Sequence, residues 1–257
     1  MRHEAEPVKG RQVGEVRAVA RALDLLLELG EWDRPATLAE LARRVDLHPS
    51  TALRLLDTLR TRGFVHQSPS RGYVLGGQNF ELGNAYLRNV SVWSQANQLA
   101  VELADAAGET ASVGVMDAGR ILYIAIARGQ QDMGIASAPG TRHPAYCTSL
   151  GKAILADLPG EQVLDILRTD PPVRLTPSTL VKISDVQRDL ALTRRRGFSI
   201  DNEERTPGVV CIGAAVRDHK GDPVGAISVS GPAYRMRARG LDEVGRIVIK
   251  TASAYLA

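Results

Sequence analysis

The sequence predicts an α+β protein in two parts, a small N-terminal winged helix-turn-helix and a larger domain of mixed helix and strand, joined by one linker helix. Three observations carry this reading. Short amphipathic patterns of helical period fill the chain up to Gly63. Two brief β-type runs separated by Ser68-Pro69-Ser70-Arg71 follow at once. Beyond Thr110 strand-like and helical periods alternate, as expected of an antiparallel sheet with helices packed on it.

In chain order, residues 1–14 carry charges of both signs and no apolar core, which marks a mobile arm rather than a signal peptide. Val16 to Leu29 places Val19, Ala22, Leu23, Leu26 and Leu27 on one helical face, expected to pack on the next two helices, and Gly30 closes it. Leu38 to Val45 repeats the pattern with Leu38, Leu41, Ala42 and Val45. Asp46-Leu47-His48 breaks it, and Pro49 suits the first position of a new helix, where its missing N–H costs nothing. That helix, reaching about Arg62, buries Ala52, Leu55, Leu56 and Leu59 and turns Ser50, Thr51, Arg54 and Thr58 outward.

Hydroxyls, an arginine and a helix N-terminus suit phosphates and base edges in a major groove. An ordinary helical hairpin with a solvated polar face fits the same pattern. Phe64 to Gln67 and Gly72 to Leu75 form the expected wing, whose tip carries Ser68, Ser70 and Arg71. The winged unit thus spans 15–76. Residues 77–90 form the linker helix, with Phe80, Leu82, Ala85, Tyr86 and Leu87 apolar and no partner within the small domain, so its face is expected to pack on a second subunit.

The third region, 91–257, opens with a helix at about Val92 to Ala107. Thr110 to Met116 and Arg120 to Ala127 are strands around an Asp117-Ala118-Gly119 turn, and Met133 to Ser137 is a shorter candidate. Helices are expected from near Thr148, over Glu161 to Arg168, over Ser184 to Arg196 and over Leu241 to Leu256. Strands are expected over Phe198 to Asp201, Val209 to Arg217 and Pro223 to Ser230.

The net charge of +3 is too mild to signal nucleic-acid binding alone, but its distribution is informative. Between Arg34 and Gly76 seven arginines face three acidic residues, an excess of +4 that accounts for the whole chain's surplus. No apolar run approaches the ~20 residues of a membrane span. Cys147 and Cys211 have neither metal-type spacing nor a disulfide framework, which favours a reducing cytoplasm. The five histidines, His3, His48, His66, His143 and His219, show no ligand spacing, so no metal is expected.

Gly151-Lys152 lacks the glycine and hydroxyl of a phosphate loop, since Tyr146 and Ala153 stand at those positions. A helix start near Thr148 could instead present free N–H groups to an anion, or be a capped and buried start. Ser228 and Ser230 alternate with Val229 and share one strand face, where they either bond to neighbouring backbone or line a polar pocket. Asp201 is read as a pocket carboxylate or a locally bonded strand end, and Cys211 as a packed thiol. The Arg194-Arg195-Arg196 run reads as a solvated helix end.

Several spaced pieces carry a family resemblance: RAL at Arg21 to Leu23, STALRLLDTL from Ser50, GYVLG from Gly72, GET at Gly108 to Thr110, SLGKAILA from Ser149, RRGFSIDNEE from Arg195, GVVCIGAAV from Gly208 and SVSGP from Ser228. In this order the chain resembles an IclR-family transcriptional regulator. The resemblance implies an N-terminal domain that binds a double-stranded DNA operator and a C-terminal effector-binding domain of GAF-like α/β fold, working as a homodimer or dimer of dimers without a cofactor. It implies DNA contacts from Ser50, Thr51, Arg54 and Thr58, with Ser70 and Arg71 on the wing. It also implies that a small organic acid meets the backbone at Ser149 and Leu150, together with Asp201, Cys211, Ser228 and Ser230, with Ala136 and His143 as an apolar wall. His143 and Ala145 depart from the larger apolar residues usual there, which points to a bulkier or more polar ligand than the smallest keto acids. The competing class, a small-molecule enzyme on the C-terminal domain, lacks a nucleophile–base pair, catalytically spaced carboxylates and a cofactor fingerprint.

Overall fold

The computed structural model describes residues 15–130 and 138–255. The expected arm over 1–14 and the candidate strand containing Ala136 lie outside the described residues. The chain divides into two compact units between Asn89 and Val90.

In the first unit, α1 (Arg17–Gly30), α2 (Leu38–Arg44) and α3 (Pro49–Thr61) pack around Leu25, Leu29, Leu41 and Leu56, all nearly or wholly buried. α2 begins with a capping box: Glu40 N–H donates to the Thr37 hydroxyl while Thr37 N–H donates to the Glu40 carboxylate. α3 starts on Pro49, and His48 Nδ1 accepts from the N–H of Ser50. The wing is β1 (Val65–Gln67) paired antiparallel with β2 (Tyr73–Leu75), and an unforeseen bridge joins Ala36 to Tyr73. Close packing keeps Gly72 a glycine, because a Cβ there would meet Pro35 at 2.6 Å.

The expected face of α1 needs correction. Leu25 and Leu29 turn inward, whereas Val19, Leu23 and Leu27 are 56%, 54% and 71% exposed. The helix is apolar around most of its circumference, so periodicity alone could not tell which stripe meets α2 and α3. α4 (Gly77–Arg88), the linker helix, has no buried residue, and Phe80 is 74% exposed.

Among the described residues of the second unit, six strands form one antiparallel sheet in the order β5-β4-β3-β8-β7-β6. They are β3 (Thr110–Asp117), β4 (Arg120–Ala127), β5 (Arg142–Pro144), β6 (Ser199–Asn202), β7 (Val209–Arg217) and β8 (Pro223–Pro232). α5 (Trp93–Ala107) and α10 (Leu241–Ser253) cover one face. α6 (Ser149–Asp157) and α8 (Ile183–Arg196) lie on the other, with α7 (Gly160–Thr169) packed beside them. α9 (Ala233–Arg239) follows the last strand. Neither β5 nor α9 was expected: β5 has only three residues with no apolar alternation, and α9 is a short, arginine-rich turn of helix after Pro232.

Glycines set how closely α6 meets the sheet. A Cβ on Gly213 would stand 2.8 Å from the Ser149 carbonyl oxygen, and one on Gly151 would stand 2.2 Å from that of Ala145. The start of α6 therefore rests directly on β7 and on the chain leading out of β5.

Candidate functional site

On the first unit, Ser50, Arg54, Thr58, Ser70 and Arg71 are exposed and Thr51 is half-buried. The Thr58 hydroxyl donates to the Arg54 carbonyl at 2.9 Å, and Ser50 Oγ lies 2.8 Å from His48 Nδ1. At the wing tip Ser68 and Ser70 share a hydroxyl contact of 2.8 Å, and Arg71 adopts a left-handed φ of 63° with its carbonyl accepting from Gln67. Arg34, Arg44 and Arg60 are ion-paired to Glu40, Glu28 and Asp57. Arg43, Arg54, Arg62 and Arg71 make no ion pair among the described residues, so the surplus charge is available on this surface.

On the second unit, the face of the sheet toward α6 carries a polar row: Thr110 pairs with Ser230, Ser230 with Cys211, and Cys211 with Asp201. The next row runs Ser112, Ser228, Gly213, Ser199. The first row is the floor of a pocket that Tyr123 and His143 wall on one side, Arg205 and Thr206 on the other, with Thr148 and Ser149 at the start of α6. Its enclosed space is about 30 Å³, where one water needs ~10–15 Å³ on the same measure.

Of the expected pocket residues, Ser149, Asp201, Cys211, Ser230 and His143 line this space together. The expectation for Leu150 concerns its backbone, which belongs to the first turn of α6 beside Ser149; its side chain is wholly buried in the core between α6, α7 and α8. Ser228 sits one row away, buried, and is not part of the lining. Thr110, Ser112, Tyr123, Thr148, Arg205, Thr206 and Val209 line it without having been anticipated.

The electrostatics centre on three groups. The Thr148 hydroxyl accepts from Gly151 N–H at 3.2 Å, leaving the first N–H groups of α6 without an intrahelical partner. Arg205 has no carboxylate within ion-pair distance among the described residues; its guanidinium donates to Thr206 Oγ1 at 3.1 Å and to His143 Nδ1 at 2.9 Å. Asp201 is 3% exposed, and burial pushes its pKa up to about 7 against the opposing pull of Lys152. One of its oxygens accepts from the N–H groups of Glu204 and Arg205. Burial, followed by the nearby Asp201 charge, raises the Cys211 thiol well above its ordinary range, the reverse of what a nucleophile needs.

Behind the pocket, Lys152 is fully buried with Nζ 2.5 Å from Glu204 and 2.8 Å from Asp189. Burial opposes its charge, but the two carboxylates outweigh burial and hold its pKa above the usual lysine value. Thr176 and Thr179 donate to the carbonyls of Glu203 and Glu204, each at 2.6 Å for its shortest bond. The loop that carries Arg205 is thus fixed from both sides. The basic end of α8 is not merely solvated, because Arg194 donates to the Ala156 and Leu158 carbonyls at the end of α6. Among the described residues no group of three or more His, Cys, Asp or Glu side chains is placed to hold a metal ion.

A winged helix-turn-helix followed by an α+β domain with a curled sheet and an internal polar pocket defines a class of DNA-binding transcriptional regulators. Residues 18–69 match the IclR helix-turn-helix domain and residues 84–255 the bacterial transcriptional regulator IclR C-terminal domain. The chain belongs to the IclR family. It is 35% identical over 240 residues to the HTH-type transcriptional regulator BhcR of Paracoccus denitrificans, covering 93% of this chain and 86% of that protein. It is 34% identical over 242 residues to the transcriptional repressor IclR of Escherichia coli, covering 93% and 88%. The crystal structure of Thermotoga maritima IclR aligns with a TM-score of 0.77 at 27% identity, over 93% of this chain and 97% of that one. The protein is therefore a DNA-binding regulator and not an enzyme.

Proposed function

We propose that the protein is a cytoplasmic repressor whose hold on an operator is controlled by a small organic acid bound in the pocket of the second unit. One observation carries the ligand class: a half-buried guanidinium without a carboxylate partner among the described residues shares a polar pocket with the N–H end of a helix. Both favour an anion, and hydroxyls from Thr110, Ser112 and Ser230 supply bonds for its remaining oxygens. Asp201 is compatible with an anion while protonated, since it can then donate to the ligand. The small volume and the His143 side chain favour a compact, polar ligand over a bulky one.

In this reading Ser50, Thr51 and Arg54 of α3 enter the major groove, Thr58 flanks them, and Ser70 and Arg71 approach from the wing. The exposed apolar residues of α4, Phe80 and Leu82 foremost, hold two protomers together so that both heads reach one pseudo-palindrome. Ligand shifts the arrangement of the paired heads by binding one arrangement more tightly. Repression is favoured over activation by the designation of the Escherichia coli relative as a repressor.

Two experiments test the reading. A thermal-shift screen of short keto, hydroxy and aromatic acids should find at least one that raises the melting temperature, because a ligand that binds only the folded state stabilises it. Arg54→Ala should weaken duplex binding in a shift assay while leaving the ligand-induced thermal shift in place. Unimpaired DNA binding by that variant would remove α3 from the interface.

A further inference from the structure

His143 and Arg205 belong to opposite edges of the sheet. His143 is the middle residue of β5, the strand at one edge, and Arg205 lies three residues beyond β6, the strand at the other. Their 2.9 Å contact therefore closes the curled sheet across the mouth of the pocket. A guanidinium can only donate, so His143 Nδ1 accepts, and its ring is the neutral tautomer bearing the proton on Nε2. The ring is steadied by Tyr123, edge to face at 5.1 Å. Arg205 in turn stands on a loop fixed by Lys152, Thr176 and Thr179, so the arginine is held in place while the histidine is the exchangeable acceptor.

We propose that the Arg205–His143 contact is a clasp that an anionic ligand opens, with Arg205 transferring its hydrogen bonds from the neutral imidazole nitrogen to the ligand's carboxylate. A charge-assisted bond to a carboxylate is roughly twice as strong as one to a neutral acceptor, and a guanidinium can grip both oxygens at once. The exchange therefore favours an ionised carboxylate and brings no such gain to the matching amide, whose carbonyl is a neutral acceptor like the imidazole. The consequence is that Arg205 reads the ligand's charge. His143 is a competitor for Arg205 as well as part of the pocket wall beside Tyr123. Freed from Arg205, His143 lets β5 separate from the loop after β6, and β5 leads directly into the start of α6.

The inference rests on the pocket being the ligand site, and its test separates the two. Calorimetric titrations of the full chain would use acetate, lactate, pyruvate, succinate and benzoate beside their amides, and then the tightest acid on variants. The wild type should prefer acid over amide by at least tenfold. Arg205→Gln should lose about tenfold or more in acid affinity and most of that preference, the cost of a lost charged hydrogen bond. His143→Ala should bind the acid about three- to tenfold more tightly, because the competing acceptor is gone. Weaker binding by His143→Ala would make the histidine a ligand contact and overturn the clasp, as would an Arg205→Gln variant that still prefers the acid. Should none of the acids bind the wild type at all, the pocket reading itself fails and the clasp falls with it.

Discussion

Replacing Lys152 by methionine keeps an unbranched side chain only one atom shorter and removes the charge from a site with no exposure. Two carboxylates, Glu204 at 2.5 Å and Asp189 at 2.8 Å, would then face each other with only Arg196, 3.8 Å from Asp189, as counter-charge. Removing one partner of a buried pair costs about 3–5 kcal/mol, because the charge left behind stays desolvated. For a domain of this size 1 kcal/mol moves the melting temperature by roughly 2–4 °C, so Lys152→Met should lower it by roughly 6–20 °C at neutral pH. Adding Glu204→Leu should restore much of the loss, since a buried pair replaced by apolar side chains is often close to neutral. The single variant should also recover relative to wild type on acidification, as protonation relieves the two carboxylates. Differential scanning calorimetry at several pH values reads all three effects. A single-variant loss below about 1 kcal/mol, or a double variant no better than the single, would refute the account of this lysine as a charge held by its two acids.

Two further predictions concern the pocket and the linker helix. The Asp201 pKa of about 7 lies above its ordinary value of 3.8, so its protonated form is favoured in the folded state. Its contribution to stability is then complete at pH values below the ordinary one and eroded as pH rises through about 7. Acid affinity should fall over the same upper range, by up to about tenfold per pH unit above 7, and Asp201→Asn should flatten the profile; affinity rising with pH would contradict the role given to its proton. Phe80→Glu should dissociate the protomers in sedimentation at micromolar concentration and weaken DNA binding while leaving ligand-induced stabilisation of the second unit intact. An unchanged sedimentation coefficient would place the dimer contact elsewhere.

The sequence made local features legible and tertiary ones only in part. Pro49 and the His48 break placed α3, the Ser-Pro-Ser-Arg turn placed the wing, and Thr148 placed the start of α6, because each is decided by backbone chemistry within a few residues. The inward stripe of α1 was not legible, since a helix apolar everywhere except the Arg17, Arg21, Asp24 and Glu28 stripe leaves the choice to its neighbours. Arg205 was missed because nothing in its local pattern separates it from other arginines; only the closing of the sheet brings it to His143. Lys152 offered a usable signal that went unread: a lysine within Leu150-Gly151-Lys152-Ala153-Ile154-Leu155, an otherwise small and apolar run, must find buried acids. Ser228 shares the sheet face of Ser230, as the alternation implies, but lies one row further along, buried and outside the pocket lining.

The central claim is that pocket occupancy governs the DNA-reading head, and one measurement addresses it directly. A duplex selected from random sequence by the protein itself would be titrated in a shift assay with and without a saturating concentration of the acid that gives the largest thermal shift. The account predicts a ligand-induced loss of DNA affinity of about 5- to 150-fold, the span of a typical coupling energy, which Arg205→Gln abolishes at the same acid concentration. A duplex affinity unchanged while the pocket is demonstrably filled would contradict it.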